Sequence, residues 1–136
     1  LMPPQLSIIG RRLRQAGYRG DLFSTIQAQN KPEIAAAAGA LDGLWFSTFD
    51  DSSAGAFYES YFRTFHEDAL PDGALGYDLA KLVISRPQNS DLLPYMDGLK
   101  EFQGIFGSYD LSQPGTIIPA TAIKVVSGET FKILYP

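Results

Sequence analysis

GDLFSTIQAQNKPEIAAAAGALDGLWFSTF, residues Gly20 to Phe49, decides how the rest of the chain is read. Two apolar stretches, Leu22 to Ile26 and Leu44 to Phe49, have the length and texture of strands. Between them a polar loop, Gln27 to Lys31, leads into an alanine-rich helix. Pro32 suits that helix's first turn, and its run to about Ala40 leaves Ile34, Ala37, Ala38 and Leu41 for packing. Strand, loop, helix, strand is one βαβ unit, and its strands run parallel. The loop after the first strand then lies at the carboxyl end of a sheet, where ligands of open α/β sheets bind. Ser24, Thr25, Ile26 and Gln27 are therefore the first candidate ligand-contact residues.

Working outward, Gln5 to Ala16 reads as a helix with Leu6, Ile9 and Leu13 on one face. Gly17 serves as its cap, and Pro3-Pro4 breaks any earlier element. Asp50 to Ser53 is a polar bend. A helix over Ala54 to Phe65 carries the aromatic stripe Phe57, Tyr58, Tyr61, Phe62 and Phe65, which core packing accounts for. Leu70 to Gly73 is a turn. Gly73 to Ile84 is a helix with Leu75, Leu79, Leu82 and Val83 inward. A further helix runs from Ser90 or Asp91 to about Lys100, with Pro94 in its first turn. Gly104 to Asp110, Thr116 to Val126 and Glu129 to Tyr135 have β texture. Ser127-Gly128 turns the last two into an antiparallel hairpin.

The 136 residues suffice for a domain with a real core. At 45% hydrophobic and 19% charged, the chain has a globular rather than a disordered composition. Its net charge of -4 offers no nucleic-acid surface. The one basic cluster, Arg11, Arg12 and Arg14 with Arg19 nearby, reads as a solvated helix face. Cysteine is absent, which removes disulfides and thiolate chemistry. No apolar run reaches the roughly 20 residues of a membrane span. The opening LMPPQLSIIG has the texture of mid-fold sequence, so upstream sequence, an export signal included, is expected. His66 beside Glu67 and Asp68 reads as an exposed loop residue. Asp50-Asp51 and Glu67-Asp68 are chain neighbours and do not converge as an acid–base pair would. No nucleotide, hydrolase or metal-ligand motif is present. Neither an enzyme, a cofactor nor a metal site is expected.

Several motifs in order carry a resemblance: RRLRQAGYRGDLFST, ALDGLWFSTF, FYESYFRTF, GYDLAKLV, FQGIFGSYDLSQPGT and AIKVVSGETFKIL. Together they resemble the C-terminal part of type I periplasmic binding proteins, the substrate-binding components of ABC transporters of the branched-chain amino acid (Leu/Ile/Val-binding) type. The match extends over nearly the whole chain but corresponds to well under half of a complete member. The resemblance implies a partial α/β fold of that type: Rossmann-like parallel βαβ units with a C-terminal antiparallel hairpin. It implies two lobes with a ligand cleft between them and three crossovers at a hinge. Residues 1–49 and 117–136 would belong to the second lobe, and 54–113, mainly helical, to the first. The crossovers would fall near 49–53 and 114–116, which makes Phe49, Asp50, Asp51, Gly115 and Thr116 the candidate hinge residues.

In amino-acid binders of this kind an acid at the place of Ile26 pairs with the ligand ammonium, and Ile26 cannot replace it. A second cleft position, commonly Tyr, is Asp72 here. Asp72 is either a ligand contact or a solvated turn residue. The expected function is extracytoplasmic solute binding for an ABC importer, periplasmic or extracellular and with or without a lipid anchor. The partners would be a small polar ligand and a membrane permease, and the chain would pair with a missing N-terminal half or another chain. The alternative is a ligand-sensing or regulatory module on the same fold, such as a lipoprotein activator of a cell-wall synthase.

Overall fold

The computed structural model describes residues 5–113 and 116–135. Pro3, Pro4, Pro114 and the expected hinge residue Gly115 lie outside the described residues. In chain order the elements are α1 (Gln5–Gln15), β1 (Phe23–Ser24), a 3-10 turn (Ile26–Ala28), α2 (Lys31–Ala36) and β2 (Trp45–Phe49). Then come α3 (Gly55–Phe65), α4 (Pro71–Ile84), α5 (Leu92–Gly98), β3 (Glu101–Gly104), β4 (Gly107–Asp110), β5 (Thr121–Ser127) and β6 (Thr130–Tyr135). The chain forms two compact units. One holds the segment ending at Thr48 together with the segment from Thr121 onward, and the other is Phe49–Ala120.

The first unit is a four-stranded mixed sheet in the order β1-β2-β5-β6. β1 and β2 pair in parallel, with Phe23 opposite Trp45 and Ser24 opposite Phe46. β5 and β6 form an antiparallel hairpin. In WFSTF the pleat alternates cleanly: Phe46 and Thr48 are buried, whereas Trp45 and Ser47 are exposed. Phe46 packs edge-on against Phe131 of β6, ring centroids 5.4 Å apart. Leu6, Ile34, Leu41, Leu44 and Val126 close the same core.

α2 begins as its sequence requires. The Asn30 side chain accepts the Glu33 N–H at 3.1 Å and Pro32 sits in the first turn. The helix stops at Ala36 rather than Ala40, because Ala38 (φ 49°) and Gly39 (φ 82°) turn left-handed. α1 also differs from expectation. Its buried residues are Leu6, Ser7 and Gly10, while Ile9 is exposed. The helix approaches so closely at Gly10 that a Cβ there would lie 2.5 Å from Leu41 Cδ2.

Nor are the arginines simply a solvated face. Arg11 Nη1 donates to the Ala36 carbonyl at 2.9 Å and Arg14 Nε to the Ala40 carbonyl at 3.2 Å. The first is the last carbonyl of α2 and the second lies in the turn that follows it. The Glu33 carboxylate in the first turn of α2 accepts the Ser7 N–H at 3.0 Å near the start of α1. The two helices are thus joined near both ends.

The second unit comprises α3, α4, α5 and the two-stranded hairpin β3–β4. The expected single stretch Gly104 to Asp110 is in fact the hairpin's turn and second strand. Glu101 pairs with Asp110 and Gly104 with Gly107 around Ile105-Phe106. α4 buries Pro71, Ala74, Asp78 and Leu82, not the expected Leu79 and Val83. The inward stripe runs through an acid, so counting apolar residues shifts the helix face by one position. α5 ends at Gly98 rather than near Lys100.

α3 overturns the core reading of its stripe. Phe57 and Tyr58 pack against the cluster around Ala54, Ala74, Phe106 and Tyr109, but Phe62 is 52% and Phe65 59% exposed. The region before β5 is corrected too. Ile117 packs against the second unit's core and Ile118 pairs with Asp110, so residues 117–120 belong with that unit. The strand expected from Thr116 starts at Thr121.

The buried phenols of the second unit give it an alkaline limit. Burial, with the Asp51 charge adding to it, pushes the Tyr58 hydroxyl up to about 12. Burial and the hydrogen bond to Asp78 raise Tyr109 as well. Both folded-state values lie above the ordinary 10, so the folded chain keeps protons that the unfolded chain gives up. Stability should be complete below about pH 10 and decline as pH climbs toward 12. Thermal melts followed by circular dichroism should show this fall, and Tyr58→Phe should flatten it. Separately, Phe62→Glu with Phe65→Glu should lower binding of an apolar dye while changing stability by about 0.5 kcal/mol or less.

Candidate functional site

Four of the sequence-predicted contact residues sit on one rim of the first unit. β1 ends at Ser24, and Thr25 continues extended at φ -110° and ψ -173°. The chain then tightens into the 3-10 turn, with the Ala28 N–H on the Thr25 carbonyl and the Gln29 N–H on the Ile26 carbonyl, both at 2.9 Å. This early turn is why β1 spans two residues rather than the five of Leu22 to Ile26. Thr25 is exposed, and Ser24, Ile26 and Gln27 are half-buried. The rim therefore presents hydroxyl and amide groups, each able to donate and accept, around one apolar side chain.

Two residues that sequence reasoning missed support this rim. Thr48, buried at the carboxyl end of β2, donates its hydroxyl to Gln29 Oε1 at 2.7 Å. The bond ties the loop after β1 to the next parallel strand. Thr48 was findable, since it shares the Phe46 face of an alternating strand. Gln29 carried no such signal: its partner is 19 residues away.

Asp72 belongs to the second unit. It is exposed in the first turn of α4, where a carboxylate suits the helix N-terminus. Of the expected hinge residues, Phe49 stacks on Phe106 with ring centroids 4.9 Å apart. The Asp50 N–H donates to the Ala120 carbonyl at 2.8 Å, and the Asp51 carbonyl accepts from Ala54 at 3.0 Å. The Thr116 N–H donates to Gln113 at 3.1 Å. These residues lie inside the second unit, whose limits are Phe49 and Ala120. The second crossing therefore falls at 120–121 rather than near 114–116.

A shallow groove of about 380 Å³ opens on the second unit beside Lys100, Glu101, Ser108, Asp110 and Pro119. Its acids are engaged locally. Glu101 accepts from Ser108 and Gln103, and the Ser112 hydroxyl and N–H hold the Asp110 carboxyl below its usual range. His66 is exposed at the left-handed cap of α3. Among the described residues no group of three His, Cys, Asp or Glu is placed to hold a metal ion. No described helix is long and apolar enough to cross a membrane.

The rim's support is testable. Thr48→Val keeps the side chain's shape but removes its hydroxyl, leaving Gln29 without that donor. We expect a loss of about 1 kcal/mol in urea denaturation. Faster amide exchange should be confined to residues 25–30.

No protein-family model matches the chain, and no curated protein matches it in sequence. Solved structures do resemble it. A leucine-binding protein from Thermotoga maritima superposes with a TM-score of 0.79 at 22% identity, over 97% of this chain and 41% of that one. An extracellular ligand-binding receptor from Desulfohalobium retbaense gives 0.81 at 21%, over 95% of this chain and 24% of that one. The branched-chain amino acid transporter substrate-binding protein of Streptococcus pneumoniae, solved with isoleucine, gives 0.79 at 16%, over 97% and 42%. The chain thus spans less than half the length of these proteins, and over that span its α/β fold is the one shared by type I periplasmic binding proteins.

Proposed function

We propose that the chain is part of an extracytoplasmic solute-binding protein of an ABC importer, with a small polar ligand held at the rim Ser24–Gln27. The observation that carries this reading is the rim itself, an accessible polar loop at the carboxyl end of a parallel strand pair in a binding-protein fold. A membrane permease is the proposed partner of the complete protein.

The rim also bears on ligand class. From Leu22 to Asn30 the loop carries no charged residue. A free ammonium group needs a carboxylate to replace its hydration, and Ile26 offers none. The ligand end that meets this rim is therefore not an ammonium group; hydroxyl, amide or carboxylate groups suit the hydroxyls and amide that the rim offers.

The test is a thermal-shift screen against amino acids, short amides, aromatic acids and sugars. A ligand at one hundred times its Kd should add about 2.7 kcal/mol to stability. Ser24→Ala with Gln27→Ala should cut the shift by about half or more and leave the ligand-free melting temperature nearly unchanged. A full response in that double variant would move the site elsewhere. Silence across every compound class would count against solute binding itself.

A further inference from the structure

The deepest polar group of the second unit has no part in the rim. Asp78 is 1% exposed, on the buried stripe of α4. Its Oδ2 accepts the Ile105 N–H at 2.6 Å and also the Tyr109 hydroxyl. The Tyr109 oxygen in turn accepts the Phe106 N–H at 3.5 Å. One carboxylate thus holds both residues of the β3–β4 turn. The space for this exists only because residue 104 is glycine. A Cβ there would fall 2.5 Å from Asp78 Oδ2 and 2.6 Å from Tyr109 Cζ.

The turn so fixed is what the crossover segment rests on. The Ile105 carbonyl accepts the Ser53 hydroxyl at 2.9 Å, and the Phe106 ring stacks on Phe49. The Asp50 N–H bonds the Ala120 carbonyl, so the segments entering and leaving the unit are tied to each other. A segment held at three points on one body moves with that body.

We propose that Asp78 is a positioning residue. Through the Ile105-Phe106 turn it locks Phe49–Ser53 onto the second unit, so that this stretch is an anchored part of that unit. Phe49, Asp50 and Asp51 are then the clamp and do not flex themselves. The inference needs no ligand and stands whether or not the rim binds one.

Amide hydrogen exchange of the ligand-free protein, followed by mass spectrometry, tests it. Asp78→Ala should speed exchange about tenfold or more in peptides covering 50–54 and 104–109, since it strands charge-assisted hydrogen bonds. Peptides from α5 of the same unit, from α2 and from the β5–β6 hairpin should not change. Gly104→Ala attacks the same network from the opposite side and should give the same pattern. Tyr109→Phe keeps the ring and should reproduce it more weakly, should the other variants not fold. Faster exchange at 104–109 with 50–54 unchanged would overturn the proposal. So would an equal rise throughout the second unit, α5 included, which would reduce Asp78 to ordinary core stability.

Discussion

Each unit is closed by one buried carboxylate that accepts backbone N–H groups from a distant part of the chain. In the first, Glu33 takes the Ser7 N–H, 26 residues away. In the second, Asp78 takes the Ile105 N–H, 27 residues away. A buried carboxylate is costly unless hydrogen bonds replace its water. Bonds to an ionised acceptor are about twice as strong as neutral ones. The same group therefore penalises every arrangement in which its partner is missing. Glu33 fixes α2 against α1, and α2 follows directly on the loop that ends the Ser24–Gln27 rim. The position of Ser24–Gln27 thus depends on a carboxylate that lies outside the rim.

What the sequence made legible is what local chemistry decides. The Asn30–Pro32 start of α2, the alternation in WFSTF and the turn at Ser127-Gly128 each follow from neighbouring residues. The place of Ser24–Gln27 at the carboxyl end of β1 likewise follows from the order strand, loop, helix, strand. The two misread helix faces share one cause. In α1 the buried stripe contains Ser7 and Gly10, and in α4 it contains Asp78. Polarity or small size placed these residues outside, whereas a close approach and two long-range bonds place them inside. Arg11 and Arg14 are the converse: residues of a cluster that reads as surface charge bond the last carbonyl of α2 and a carbonyl of the turn after it.

The crossings between the units show the limit of composition as a guide. Proline, glycine and polar residues mark 114–116 as a plausible bend. Yet Ile117 and Ile118 beyond it carry the contacts of the second unit, and the division comes only at 120–121. Likewise Asp50 and Asp51 have a flexible composition and an anchored backbone. Where a chain bends depends on which backbone groups are already paired.

The neutral rim sets a scale for what it can hold. Each uncharged hydrogen bond contributes about 0.5–1.5 kcal/mol net, so Ser24, Thr25 and Gln27 together supply about 2–4. Full burial of Ile26 adds about 1.5–3. Their sum falls short of the roughly 8 kcal/mol of micromolar binding, even before the cost of immobilising a ligand is charged against it. As the proposed ligand contact, such a rim would orient a ligand rather than hold it alone. The missing share has to come from contacts beyond Ser24–Gln27. The proposed discrimination against an ammonium group rests on the same residues, since no charged side chain lies between Leu22 and Asn30.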